Sequence, residues 1–174
     1  MSVKWSTFGV FLFFLLTTTV WAQHVKVDWD KSASFVSYKT YAWAKGTPPQ
    51  NQLMAQRISD GIDRELSEKG FQKVDANSNP DLIVLYRTAI ESNTQFNTMG
   101  TGGWGWRWGG GMTTTTVDQI PTGQLSVDIG DAKTKKLLWL GSASDTISDK
   151  PEKNEEKINK ALDKMFKKFP PPLK

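Results

Sequence analysis

The segment from residue 100 to residue 111 carries the side chains best suited to contact another molecule. It contains seven glycines, and Trp104, Trp106 and Trp108 stand two residues apart around Arg107. If the segment is extended, side chains two apart share a face, so the three rings form one aromatic strip. Such rings stack on sugars, insert at a membrane interface or anchor a protein partner, and an arginine suits an anionic group. These four residues are therefore the predicted binding site.

Glycine at this density also fits a simpler interpretation, a flexible hairpin tip whose rings fold back onto a sheet. The segment lacks the G-x-x-x-x-G-K-[ST] pattern of a phosphate loop. No helical pattern follows it, so it is a poor match to a dinucleotide fingerprint as well. We predict no cofactor.

Side chains that perform acid-base or metal chemistry are scarce. There is no cysteine, and His24 is the one histidine, which excludes thiolate sites and disfavours catalytic triads and multi-histidine metal sites. Asp28, Asp30 and Ser32 have the opening spacing of a calcium loop, but Ala33 and Lys39 replace its required glycine and glutamate, so a turn is expected. We predict no catalytic residue and no metal site, and a carboxylate-dependent envelope hydrolase stays as the enzymatic alternative.

The charge of the chain disfavours nucleic acid as a partner. The formal net charge is +4, and the lysines alternate with acidic residues along the helical stretches instead of forming a block. Nothing in the sequence specifies an oligomeric state.

Residues 1–22 have the pattern of a secretory signal. Lys4 precedes a short apolar core at 8–16, and the small-residue motif ends at Ala22, so cleavage is expected between Ala22 and Gln23. An uncleaved membrane anchor is the alternative, although the apolar core is shorter than the roughly 20 residues that span a bilayer. No other segment is apolar enough to cross a membrane. We expect a periplasmic protein with one domain at 23–174.

Alternating apolar residues predict the strands of that domain. Strands are expected at 24–29, 38–43, 71–74 and 82–86, with a hairpin formed by 125–129 and 137–144. The run 82–86 is apolar throughout and should be central, while its polar continuation to residue 96 should leave the core.

Two helices are predicted from apolar residues at helical spacing. The first covers 51–69 and ends at Gly70, and the second begins near Pro151, with Asp149 as N-cap, and carries Ile158 to Phe169 on one stripe. Each helix has one apolar stripe and needs one apolar surface. The expected fold is therefore α+β, a two-layer arrangement with a mostly antiparallel sheet and both helices on one face.

Several of these stretches together resemble the bacterial envelope family called domain of unknown function 4136. They are residues 38–43, 68–71, 79–84, 123–127, 136–143 and 151–170, together with the glycine and tryptophan segment. The resemblance implies an exported α+β domain and supplies no catalytic residue. Many members look like lipoproteins, whose first mature residue is a cysteine, but this sequence has Gln23 there and is not expected to be one.

The expected function is that of a periplasmic, non-enzymatic module that binds an envelope component or protein. Besides the hydrolase, the alternative is a stress-related structural protein in which the segment 100–111 is disordered. The tryptophans favour binding, and the scarcity of histidine and cysteine disfavours catalysis.

Overall fold

The computed structural model of the protein describes residues 23–44, 51–100 and 113–172, with the backbone alone for 93–100 and 113–120. A short 3-10 turn at Phe35–Ser37 follows the first strand. The main elements, in chain order, are β1 (His24–Trp29), β2 (Thr40–Trp43), α1 (Gln52–Glu68), β3 (Gln72–Lys73), β4 (Leu82–Gly100), β5 (Thr113–Asp131), β6 (Leu137–Thr146) and α2 (Pro151–Phe166).

The six strands form one mixed sheet in the order β1-β6-β5-β4-β2-β3. The pairs β1/β6, β6/β5 and β5/β4 are antiparallel, whereas β2 runs parallel to both β4 and β3. The α+β class is confirmed, but the parallel side was not anticipated. Its cause is the connection from β2 through α1 to β3, because parallel neighbours need a long crossover and a helix usually supplies it.

One face of the sheet is buried, and both helices contribute to the same core. Val84, Ile129 and Trp139 stand side by side in the register of β4, β5 and β6, and all three are fully buried. Ile62 and Leu66 of α1 and Leu162 and Phe166 of α2 belong to the same hydrophobic cluster as these three sheet residues. This burial is what the apolar periodicity of the helices predicts.

The helix ends confirm one predicted cap and correct another. The Asn51 side chain accepts a hydrogen bond from the Met54 amide at the start of α1, and Gly70 follows its end with a positive φ of 85°. The prediction that Asp149 caps α2 is wrong, because the N-cap is Lys150 and makes no side-chain cap. Instead, Asn154 binds Ser148 through both its amide oxygen and nitrogen, at 2.8 and 2.7 Å.

The hairpin of β4 and β5 is much longer than predicted. Each strand has 19 residues, and they pair from Leu82↔Asp131 to Gly100↔Thr113. β6 accompanies β5 only as far as Thr122, so the hairpin continues beyond it as a two-stranded ribbon. From Ser92 to Gly100 this ribbon is about 30 Å long, at about 3.3 Å per residue. Within the described ranges, no helix is long and apolar enough to cross a bilayer.

Candidate functional site

A groove of about 1150 Å³ lies where the first turns of both helices meet the sheet. Its helical wall is formed by Met54 and Ile58 of α1 and by Lys157 and Ile158 of α2. A groove of this size is in the range of, or slightly larger than, pockets that hold small ligands. We take it as the candidate site among the described residues.

The floor of the groove follows from the strand register. Tyr86, Thr88 and Ile90 of β4 are two residues apart and therefore point to one face of the sheet. The register places Leu125 beside Thr88 and Gly123 beside Ile90, with Ala143 next to Leu125 on the third strand. All of these residues line the groove. The floor is thus the continuation of the buried face beyond the core.

Several of the residues that line the groove are small. Ala55 and Ala161 project from the helices, and Ala143 and Gly123 lie on the strands. At the other end of the same interface the facing side chains are large, and Trp139, Phe166 and Phe169 pack with ring centroids 5.2 to 5.7 Å apart. The sequence analysis missed this groove. Its signal was the small residues within the helical stripes, but which of them face one another depends on the tertiary structure.

The polar rim is anchored by Lys157. Its ammonium donates to the Thr146 carbonyl at 2.7 Å, to the Thr146 hydroxyl at 2.9 Å and to Asp145 Oδ1 at 3.2 Å. The side chain of Gln23 donates to the Lys157 carbonyl at 2.8 Å. Within the described part of the chain, Gln23 Oε1 is a buried acceptor without a hydrogen-bond partner. A bound donor would satisfy it.

Tyr86 joins the floor to the helical wall. Its ring contacts that of Trp43 edge to face, with centroids 5.8 Å apart, and its hydroxyl donates to the Ala55 carbonyl at 3.4 Å. Burial raises the pKa of Tyr86, so the phenol is neutral at physiological pH. The contact is long for a hydrogen bond between oxygens, which leaves this hydroxyl able to bind another acceptor.

The acidic residues are not arranged as a catalytic pair in the groove. Asp145 is the one acid among its described lining residues, and Lys157 already binds it. Glu65 has its pKa raised by burial and then by its hydrogen bond with Asp163, but both lie between the helices and away from the groove. No cluster of three or more potential metal ligands occurs in the described ranges.

Most of the predicted site residues lie outside the part of the chain that the structure describes. Trp104, Trp106, Arg107 and Trp108 lie outside the described residues, as does Ala22. Gln23, on the other side of the predicted cleavage point, lies at the rim of the groove. The two strands that flank the segment 101–112 end together at Gly100 and Thr113, at the far end of the ribbon.

The family profile for Domain of unknown function (DUF4136) matches residues 25–171, so the chain belongs to this family. No curated protein matches the chain. The resemblance inferred from the sequence motifs is therefore confirmed.

Solved structures of other proteins are similar to this chain to different degrees. A PDZ domain protein from Parabacteroides distasonis superposes with a TM-score of 0.59 at 16% identity, covering 85% of this chain. The chain spans only 35% of the length of that protein. Two crystal forms of the PelC dodecamer from Paraburkholderia phytofirmans align at 12% identity, with TM-scores of 0.44 and 0.43 over 83% and 81% of this chain and 98% and 95% of theirs. At these identities the likeness concerns the fold alone.

Proposed function

We propose that this protein is an exported, non-enzymatic module of the cell envelope, located in the periplasm, that binds an envelope component or protein. In this proposal the helices and sheet form two layers, with both helices on one face of the sheet. The contact is made by Trp104, Trp106, Arg107 and Trp108 at the end of the ribbon.

The observation that carries the proposal is the course of the β4–β5 hairpin. The paired backbone continues for about 30 Å past the last row shared with β6, so both ends of the tryptophan segment start far from the core. A chain that needed these rings only for its core would not require such an extension. Exposed aromatic side chains near glycine gain most when a partner covers them, since each ring offers about 150–250 Å² of burial.

The test measures whether components of an envelope extract are retained on the immobilised protein. Wild-type protein is compared with a variant in which Trp104, Trp106 and Trp108 are all alanine. We expect the variant to lose retention while its thermal midpoint stays within about 3 °C, because a surface segment carries little of the core energy. A control that replaces Val36 and Leu53 with alanine removes exposed apolar area elsewhere and should keep retention.

Two other results would contradict the proposal. A triple variant that unfolds well below the wild-type midpoint would place the rings in the core. Retention that survives the triple replacement would place the binding surface elsewhere. Export is tested separately by N-terminal sequencing of the protein from a periplasmic fraction, where the expected first residue is Gln23.

A further inference from the structure

Among the described residues, the outer edge of β4 is unpaired beyond Val84. β2 pairs with β4 only from Leu82 to Val84, and within the described residues no strand follows on that side. The Val84 carbonyl accepts the Ala44 amide at 2.9 Å, so the main-chain groups of Val84 point to this edge. Because direction alternates along a strand, the groups of Tyr86, Thr88 and Ile90 point there too. Within the described residues, these main-chain N–H and C=O groups have no strand to pair with, and they lie beside the groove.

The sheet protects its other edges but not this one. β3 has only two residues, one of them Lys73, and β1 carries Lys26 and Asp28. Short strands, charges and prolines are the usual devices against unwanted strand pairing. From Leu85 to Gly100, β4 contains no lysine and no proline, and its two charged residues are Arg87 and Glu91. Ile90 on this stretch is 72% exposed. Such an edge is suited to pair with another strand.

We propose that the β4 edge pairs antiparallel with the same edge of a second copy of this chain, about a two-fold axis at Ala89. Arg87 and Glu91 have opposite charges and lie two residues on either side of Ala89 on one face of the sheet. A two-fold pairing at Ala89 therefore places Arg87 opposite Glu91 of the partner subunit, and the reverse pair forms as well. Within one subunit Arg87 already forms an ion pair with Asp128 at 2.7 Å, and its side chain, which is 62% exposed, would contact Glu91 of the partner subunit in addition.

The backbone geometry agrees with that centre. With the axis at Ala89, Thr88 faces Ile90 of the partner subunit, and both residues direct their main-chain groups to the edge, as a hydrogen-bonded pair requires. Ala89 and Arg87 then occupy non-hydrogen-bonded positions, where opposing Cα atoms are about 4.5 Å apart and side chains are closest. The exposed Ile90 becomes covered, and the groove floor of one subunit continues into that of the other.

The absence of cysteine from the sequence makes a direct test available. Ala89→Cys places one thiol beside its symmetry mate at a Cα separation that a disulfide accepts, about 4.4–6.8 Å. We expect it to form a covalent dimer under mild oxidation, detected on a non-reducing gel. Thr88→Cys is the matched control one residue away. Thr88 faces Ile90 of the partner subunit, so the two introduced thiols would lie diagonally across the axis and not opposite each other. This variant should crosslink at least about tenfold more slowly, because two Cα atoms beyond about 7 Å cannot be bridged without backbone movement.

Charge exchange supplies an independent test by sedimentation equilibrium. Glu91→Arg alone places arginine opposite arginine, and Arg87→Glu alone places glutamate opposite glutamate, so each should weaken self-association at least about tenfold. An equimolar mixture of the two variants restores both opposite-charge pairs and should recover the dimer. Lys26→Glu lies in the same row of the sheet as Arg87, at the opposite edge, and should change nothing.

Several results would overturn the pairing. They are a monomeric wild-type protein at about 100 µM, equal crosslinking at positions 88 and 89, or a mixture of charge variants that stays monomeric. A wild-type monomer whose edge amides become protected only when a foreign peptide is added would assign the edge to a different partner strand.

Discussion

The two ends of the helix-sheet interface are built from opposite kinds of side chain. At one end the rings of Trp139, Phe166 and Phe169 fill the space between helices and strands, and Tyr41 and Leu66 are buried beside them. At the other end, the residues that line the groove include several alanines and a glycine. Residues of both helices and of the sheet contribute to both ends. The difference lies in the size of many of the side chains at each end.

The largest expected effect lies at the filled end. Phe166 is fully buried against Trp139, so Phe166→Ala leaves a cavity and should lower the free energy of unfolding by about 3–5 kcal/mol. Ile90→Ala, at the groove, should change it by less than about 0.5 kcal/mol at a concentration where the protein is monomeric, because the side chain is then exposed. Denaturant unfolding measures both. A loss below about 1 kcal/mol for Phe166→Ala would contradict the described packing.

A pair of glycines gives the next comparison. A Cβ on Gly141 would lie 2.5 Å from Trp139 Cη2 and 2.9 Å from Met165 Sδ, and a rigid ring cannot yield, so Gly141→Ala should cost about 1–3 kcal/mol. A Cβ on Gly123, at the groove, would lie 3.3 Å from Ile147 Cγ1, on a side chain that can move, and 3.9 Å from the Asp145 carbonyl oxygen, which is an ordinary contact. Gly123→Ala should therefore cost less than about 1 kcal/mol. Equal thermal shifts for the two variants would show that the groove end is packed as tightly as the core.

Tyr41 in the core and Tyr86 at the groove differ in the hydrogen bonds that their hydroxyl groups make. The Tyr41 hydroxyl donates to Asp63 Oδ1 at 2.7 Å, and burial followed by this bond raises the pKa of Tyr41. Tyr41→Phe removes a bond to a charged acceptor and should cost about 1.5 kcal/mol, although Trp43 and Lys73 still bind Asp63. Tyr86→Phe removes only a 3.4 Å contact and should cost less than about 0.5 kcal/mol. A reversed order of the two losses in denaturant unfolding would refute this difference between the ends.

A pH effect on stability should arise between the helices. The pKa of Glu65 is raised above its ordinary value of 4.5, first by burial and then by Asp163, with Glu68 adding to the rise and Lys69 opposing it. A raised carboxyl pKa stabilises the fold below pH 4.5, and that contribution is lost as pH rises through the folded pKa. Glu65→Gln cannot ionise, so its stability relative to wild type should increase from pH 4.5 towards neutrality.

The control for this measurement is Glu152→Gln on the exposed first turn of α2. Its stability relative to wild type should not follow the same rise. If the free energy of unfolding of Glu65→Gln relative to wild type is also independent of pH, the prediction is contradicted, because the Glu65 carboxyl then titrates alike in the folded and unfolded chain.

The sequence predicted those elements whose pattern is local. The stripe from Ile158 to Phe166, the apolar run 82–86 and the alternation in 125–129 all correspond to observed elements. Phe169 is buried as predicted but lies beyond the end of α2. The first half of β5 was missed because residues 113–124 are mostly polar, and Pro121 lies among them. That half is held by pairing with β4 and has no apolar face to reveal it.

The groove and the parallel side of the sheet could not be predicted in the same way. Both depend on which residues the fold brings into one groove, such as Ala55 and Ala143, or on which strand follows a crossover. The N-cap error at Asp149 has a related cause. A suitable residue preceded Pro151, but Asn154 reaches back to Ser148 from inside the helix and supplies the polar contacts instead.

Amide hydrogen exchange within β4 tests most directly whether stability falls from the core towards the ribbon. Leu85 and Asn93 lie on the same strand and face the same partner, β5, at Asp128 and Ile120, but only Leu85 lies beside the core. We predict that the Leu85 amide exchanges at the rate of global unfolding and the Asn93 amide at least about 100-fold faster, through local opening of the ribbon. The measurement is made at a concentration where the protein is monomeric. Equal protection of the two amides would contradict the account in which the core stabilises the fold and the ribbon opens locally.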